Sequence, residues 1–352
     1  MRTFRIAVLP GDGIGPDVIG EALRVLKVVE AQLSGVSFEC QTYSVGAGEY
    51  LKNGDPLPDS AFQACRDADA VLLGAMGLPD VRWPGGKEMT PQLDLREKLE
   101  LYAGLRPIYL LHEADTPLKG YRAGQIDFSI VRESTEGLFS ARLADGDPGG
   151  EEMRDVMRIT RRGSERVIRF AFEQAMRRRK KVTLVDKSNV LPSMVFFRSV
   201  FDEVARAYPE VETERIYVDA AALYLVNRPS EFDVMVTENM FGDILSDLAA
   251  GLIGGMGMAP SGDLGDACAV FQPSHGSAPD IAGKGVANPI ATLLSLAMML
   301  EWFDDEETVG AGKRVVQAVR TVMSNPERRT PDMGGTLSTE AMGSEVIAAL
   351  QG

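Results

Sequence analysis

Short apolar, β-branched runs separated by amphipathic stretches constrain this chain more than any single residue does. Residues 4–9 (FRIAVL) read as a strand, and a glycine-rich turn then leads into a helix over residues 16–33. Residues 70–73, 128–131 and 182–185 read as further buried strands, and residues 162–179, 195–207 and 242–252 as helices. Strands alternating with helices predict an α/β protein built on a largely parallel sheet. At 352 residues the chain is long enough for two core-bearing halves. The turn-rich residues 83–91 and the Gly-rich residues 251–266 mark candidate boundaries, and the acidic Gly/Pro stretch 144–152 reads as an exposed arm or hairpin.

Charge and composition remove several classes of function. A formal charge of −14 argues against nucleic acid or an anionic membrane as the main partner. An anionic small molecule would therefore need a local cationic pocket. Cys40, Cys65 and Cys268 lie far apart without zinc-site spacing, which predicts reduced thiols in the cytoplasm. The opening MRTFRIAVLPGDGIG has neither a long apolar region nor a cleavage signature, so no signal peptide is expected. No uncharged apolar run approaches the roughly 18 residues of a membrane span, and the apolar residues 290–300 read as a buried helix.

Three groups of residues could carry chemistry. The first is GDGIGPDV, which follows a strand but lacks the third glycine of a dinucleotide fingerprint, so a tight strand-to-helix turn near a cleft is the better reading. The second is FGDILSD, where Asp243 and Asp247 fall four residues apart on one helical face. Like charges there call for a cation, and an oxygen-only site suits Mg²⁺ or Mn²⁺. The alternative is that Asp243 caps the helix and Asp247 is solvated. Asp219, in IYVDAAALY, is a third carboxylate that follows a strand. The third group is Arg96 and Arg106 in LREKLELYAGLRP with Arg132 in DFSIVRESTEG. Arginine forks grip carboxylates bidentately, although arginines more often serve in surface ion pairs. Lys187, in VTLVDKSNV, ends a strand, where burial can tune its pKa.

Taken together these segments are similar to the isocitrate/isopropylmalate dehydrogenase family, the β-decarboxylating dehydrogenases. The matching runs are LPGDGIGPDV, LREKLELYAGLRP, VRESTEGLF, VDKSNV, YVDAAAL, ENMFGDILSDLAAG and HGSAPDIAGKGVANP, in the family's order from residue 6 to about 300. The resemblance implies a two-domain isopropylmalate-dehydrogenase-like fold with a central, mostly parallel sheet, not a standard Rossmann fold. It divides the chain into a large nucleotide-binding domain, residues 1–98 and 253–352, and a small domain, residues 99–252, with the dimer interface and metal ligands. It implies that Arg96, Arg106 and Arg132 bind substrate carboxylates and that Asp219, Asp243 and Asp247 hold Mg²⁺ or Mn²⁺. Lys187 would be the general base, and Lys187 and Asp219 would reach across from the second subunit of a homodimer with shared active sites. The nucleotide would lie along His275, Gly276, Ser277 and Ala278, with Asn288 by the adenine. Asp280 can accept hydrogen bonds from a free ribose 2′-hydroxyl but repels a 2′-phosphate, so Asp280 followed by Ile281 selects NAD.

The chain departs from the pattern at three places. Phe139 stands where the family carries a tyrosine that protonates the enol, and phenylalanine has no hydroxyl. Gln92 stands four positions before the first arginine, where isopropylmalate enzymes have an apolar residue, and Thr90 lies two before it. Both favour a polar or small substituent on the malate: isocitrate, homoisocitrate, tartrate or D-malate. Gln272 replaces the usual glutamate beside the nicotinamide. The expected activity is oxidative decarboxylation of a (2R)-hydroxy dicarboxylic acid. The alternatives are a 3-isopropylmalate dehydrogenase of leucine biosynthesis and a non-catalytic regulatory paralogue.

Overall fold

A computed structural model describes residues 2–142 and 150–352. The arm expected at 144–152 thus falls largely outside the described residues. The first strand, β1 (Arg2–Gly11), pairs in parallel with β2 (Val36–Thr42) and β3 (Ala70–Ala75). It feeds α1 (Gly15–Glu30), whose buried Val18, Ile19, Ala22, Val25, Leu26 and Val29 repeat at helical spacing and face the sheet. Short helices α2 (Ala47–Asn53) and α3 (Asp59–Asp67) complete this edge, and α4 (Pro91–Lys98) leads to β4 (Ala103–Tyr109).

A second run follows the same logic. Strand β5 (Asp127–Glu133) is followed by α5 (Arg161–Met176), β6 (Lys181–Asp186), α6 (Pro192–Ala205) and β7 (Glu212–Tyr217). Helix α7 (Val218–Asn227), β8 (Val234–Thr237) and α8 (Asn239–Gly251) close it. Strands β9 (Pro260–Leu264) and β10 (Ala269–Pro273) then return to the first half. The helices α9 (Ile290–Trp302), α10 (Glu306–Met323) and α11 (Thr339–Gln351) cover it.

All ten strands form one sheet in the order β2-β1-β3-β10-β9-β4-β5-β8-β6-β7. The outer pairs are parallel; only β10–β9, β9–β4 and β4–β5 run antiparallel. Every residue of β3 and β10 is buried, as expected where helices cover both faces of a sheet. The expected strands and helices all form, with ends shifted by a few residues. Residues 290–300 do form a buried helix, α9, whose Ser295 hydroxyl donates to the Gln272 carbonyl and accepts from the Ser261 N–H.

One buried ion pair staples the turn after α10 to the segment after β4. Arg329 donates to both carboxylate oxygens of Asp115 at 2.8 and 3.0 Å, with both side chains under 5% exposed. Its remaining donors reach the carbonyls of Met323, Asn325 and Arg328. Removing one member strands the other as a buried, uncompensated charge. Asp115→Ala is therefore expected to lower unfolding free energy by about 3–5 kcal/mol. Arg328→Ala, which breaks only the exposed pair with Glu345, should cost about 0–1 kcal/mol. Urea denaturation of both variants checks the contrast.

Candidate active site

The carboxyl ends of β3, β5 and β10 open on one cleft, the usual place for a ligand in an α/β sheet. Its volume is about 250 Å³, and Gln92, Arg96, Arg106, Arg132, Asp243 and Asp247 all face it. Strand pairing explains why distant arginines converge. On adjacent antiparallel strands Arg132 sits opposite Gly104, two residues from Arg106, so both arginines leave the same face of the sheet. Arg96 arrives from the last turn of α4.

These arginines are not surface ion pairs. Their side chains are 8%, 6% and 2% exposed for Arg96, Arg106 and Arg132. Burial pulls the Arg132 guanidinium down to about 10, with Arg96 adding to the effect, and burial lowers Arg106 as well. Arg132 is locked by Asn239, whose Oδ1 accepts from Nε and Nη2 at 2.9 and 2.6 Å, and it pairs with Asp243. The Phe139 ring lies beneath its guanidinium, 5.0 Å away. The Arg106 Nη1 and the Gln92 Oε1 have no hydrogen-bond partner among the described residues. An unpaired buried donor such as the Arg106 Nη1 is costly, and a carboxylate of a bound ligand would satisfy it.

The acidic pair stands against the arginines on α8. Glu238 caps this helix, its carboxylate accepting from the Phe241 N–H, so Asp243 is not the cap. Burial raises the Asp247 carboxyl above its usual range and Asp243 adds to that, opposed by Arg106 and Arg132. Two carboxylates under mutual repulsion in an otherwise cationic cleft fit a divalent cation. The third expected ligand is elsewhere. Asp219 pairs with Lys187 at 2.5 Å on an exposed surface, and neither lines the cleft. Among the described residues, no group of three side chains able to hold a metal assembles within one chain.

The loop after β10 forms the cleft's other wall, through His275 and Gly276. Burial lowers the His275 pKa, keeping the ring neutral at pH 7. The Ser277 carbonyl accepts from the Ile14 N–H at 2.8 Å, and its hydroxyl donates to the Gly77 carbonyl. Ala278 takes a positive φ of 36° in that turn. Asp280 is exposed, Ile281 packs near Ile14 and Val18, and the Asn288 amide donates to Asp332 at 3.1 Å. Thr90 lies at the start of α4 and does not line the cleft.

Two functional carboxylates escaped the sequence reading. Asp12, inside GDGIG, accepts from the backbone N–H groups of Ala47, Gly48 and Gly77, each at 2.8 Å. Its place between two glycines was the available signal. Asp263 lies fully buried behind Arg96 and Arg106 and accepts from Gln272 at 2.8 Å. GDLGD looks like a turn, and nothing local announces the contact.

Comparison with known proteins agrees with this geometry. The chain matches the family described as isocitrate/isopropylmalate dehydrogenase over residues 5–346. It is 45% identical to a 3-isopropylmalate dehydrogenase of Thermotoga maritima, covering 99% of both chains. It is 42% identical to another from Aquifex aeolicus, over 95% of this chain and 92% of that one. Among solved structures, isocitrate dehydrogenase from Methylococcus capsulatus superposes with a TM-score of 0.89 at 37% identity, covering 99% and 100%. A β-decarboxylating dehydrogenase from Thermococcus kodakarensis gives 0.82 at 42% identity, covering 99% and 96%.

Arg132→Lys keeps the charge but loses the fork. It is expected to lower kcat/KM for a dicarboxylate by about 100–1000-fold, or ~3–4 kcal/mol. KM for the nucleotide should move by less than about 3-fold, because the Arg132 guanidinium is engaged by Asn239 and Asp243 rather than by the 275–278 loop. Steady-state kinetics with each substrate varied separately checks both numbers.

Proposed function

This chain belongs to the isocitrate/isopropylmalate dehydrogenase family, and within it we propose that the protein oxidises and decarboxylates 3-isopropylmalate with NAD. The NAD-dependent dehydrogenase reaction, EC 1.1.1.-, is that of the family. The observation that carries the substrate class is the cleft itself: three buried arginines, with the Arg106 Nη1 unpaired, facing an acidic pair. The isopropyl group is supported by the names of the relatives and by Met76 and Leu93, apolar side chains on the cleft wall. These favour the alkyl-substituted alternative over the polar substituent that Gln92 and Thr90 suggested.

The chain's own residues divide the work. Arg96, Arg106 and Arg132 hold the malate carboxylates and orient C2 toward the 275–278 loop. Asp243 and Asp247, with Asp219 of the partner subunit, form an all-oxygen set suited to Mg²⁺ or Mn²⁺. The bound cation would polarise the 2-hydroxyl and its keto product, and NAD would take the hydride. Lys187 of the partner subunit accepts the hydroxyl proton as hydride leaves C2. The β-keto acid then loses CO₂, and the same lysine returns its proton to C3. That return balances the reaction without a hydroxyl at Phe139. Asp280, exposed at the end of the loop, supports NAD over its 2′-phosphorylated form.

A homodimer with shared sites is part of this proposal. Lys187 and Asp219 are adjacent and outside the cleft, so they would enter a partner's site together. Val190, Val195, Leu223, Val226 and Ile244 are 42–64% exposed on the elements that carry them or Asp243, an apolar surface suited to a second copy. We assign residues 1–98 and 253–352 to the nucleotide-binding half and 99–252 to the half that meets the partner. The sheet order, with β9 and β10 beside β3, supports that division. The three cysteines are free, which suits the cytoplasm. No helix among the described residues is long and apolar enough to cross a membrane.

One specific observation favours a second reading. The Gln92 Oε1 is buried and unpaired, and an isopropyl group beside it would leave that cost of ~1–3 kcal/mol standing. A polar substituent would satisfy it. The test is a panel of (2R)-malates with NAD⁺ and Mn²⁺, following NADH and CO₂ together. The expected outcome is highest kcat/KM with 3-isopropylmalate and equal NADH and CO₂. Preference for isocitrate, homoisocitrate, tartrate or D-malate would move the substrate to the Gln92 reading, and NADH without CO₂ would overturn the decarboxylation step.

Subunit sharing has its own check. Lys187→Ala and Asp243→Ala should each be inactive alone. Unfolded together in equal amounts and refolded, they should recover about a quarter of wild-type activity, since half the dimers carry one intact site of two. No recovery would place each site within one chain.

A further inference from the structure

We infer that Asp263 positions the substrate arginines and, through Gln272, couples them to the strand that leads into the cofactor loop. The inference rests on the cleft being the dicarboxylate site proposed above. Asp263 touches neither cleft nor ligand. It lies behind Arg96 and Arg106, with Oδ2 3.0 Å from Arg96 Nε and Oδ1 3.6 Å from Arg106 Nη2. Among the described residues it is the acidic partner of both.

A carboxylate removed from water this completely would ordinarily take up a proton. Here Arg96, Arg106 and Arg132 outweigh burial and hold Asp263 below the usual carboxylate range. The dependence is mutual, because the three guanidinium groups repel one another and need a buried anion to stay together. Asp243 and Asp247 stand on the other side, where the cation is proposed to bind.

The sheet is built to admit this carboxylate. Gly104 on β4 lies opposite Arg132 on β5 and opposite Asp263 on β9, so the three form one lateral row. A Cβ at position 104 would come within 3.2 Å of the Asp263 Oδ1 and 2.7 Å of the Ser134 Oγ. The missing side chain leaves the slot that Asp263 fills. Gln272 on β10, three residues before His275, donates at 2.8 Å to Oδ2, the same oxygen that meets Arg96 Nε. The carboxylate therefore joins the arginines to the root of the cofactor loop.

Position 272 is close enough that the two side chains could exchange roles. With Asp263→Asn and Gln272→Glu together, the new amide donates to the new carboxylate, and the buried charge stays one strand away. Asp263→Asn alone removes the anion; Gln272→Glu alone sets two buried carboxylates against each other. Each single variant is expected to raise KM for the dicarboxylate by about 10–100-fold with kcat within about 3-fold, and the double variant to return to within about 5-fold of wild type. A structural role alone would lower stability without this split or reciprocal rescue.

Calorimetric titration of malonate into the metal-free protein reads the same order without turnover. Asp263→Asn should weaken malonate binding by about 10-fold. Tighter binding, as simple removal of a nearby negative charge would give, overturns the inference, as does a double variant no better than the worse single one. If Asp263→Asn does not fold, Gln272→Glu against the double variant makes the same comparison. Wild type that binds malonate but turns over no malate-type acid would count against the proposed function and leave the positioning result standing.

Discussion

Three guanidinium groups are packed out of water in a chain whose formal charge is −14, and much of the site follows from how their repulsion is contained. Each is held differently. Arg132 is fixed by Asn239 and Asp243, whereas Arg96 and Arg106 lean on the single carboxylate of Asp263. One internal anion for two arginines leaves positive charge directed at the cleft. With a cation on Asp243 and Asp247, as proposed, that charge would favour a dicarboxylate despite the overall negative field, because a low-dielectric pocket weights near charges over distant ones. A second carboxylate behind the arginines would neutralise the pocket; with none, burial of the arginines would have little to offset it.

Two of the three carboxylates proposed to hold the cation face this cleft, and the third does not. Asp243 and Asp247 ride on α8, which follows β8, third from one edge of the sheet. Lys187 and Asp219 follow β6 and β7, at that same edge. The pair instead stays with its own ion bond, which lowers the Asp219 carboxyl, on a surface lined by exposed Val190, Leu223 and Val226. The place of Lys187 and Asp219 outside the cleft supports the proposal that catalysis and association are one requirement.

How far the sequence was readable follows from the range of the forces involved. Helix α1 and the strands β1, β3, β5 and β6 declared themselves because periodicity is local and burial on both faces gives unbroken apolar runs. Strands β9 and β10 did not. The PSGDL of β9 is a buried strand made of turn-forming residues, and only pairing with β10 and β4 makes it extended. Asp263 was hidden for the same cause. The arginines and the acidic pair were legible through recurring motifs, but the carboxylate and glycine that hold the arginines in place depend on register between strands far apart in sequence. Gln272 was noticed as a departure, and its partner is what gives the departure a physical meaning.

The first glycine motif makes the complementary case, in which the residues were seen and the bland reading was the sound one. Gly11 and Gly13 adopt positive φ values of 72° and 58°, and a Cβ at either would collide with the Ala75 or Ser277 carbonyl at 1.9 Å. Those glycines let β1 end against two other loops at once. Asp12 between them gathers the N–H groups of Ala47, Gly48 and Gly77, while the next residue but one, Ile14, binds the Ser277 carbonyl. A dinucleotide fingerprint would present its own N–H groups to a phosphate. Here the turn spends them on protein: its role is to fix the 275–278 loop from behind, as Asp263 fixes the arginines, so the groups proposed to meet cofactor and substrate are both set by residues that meet neither.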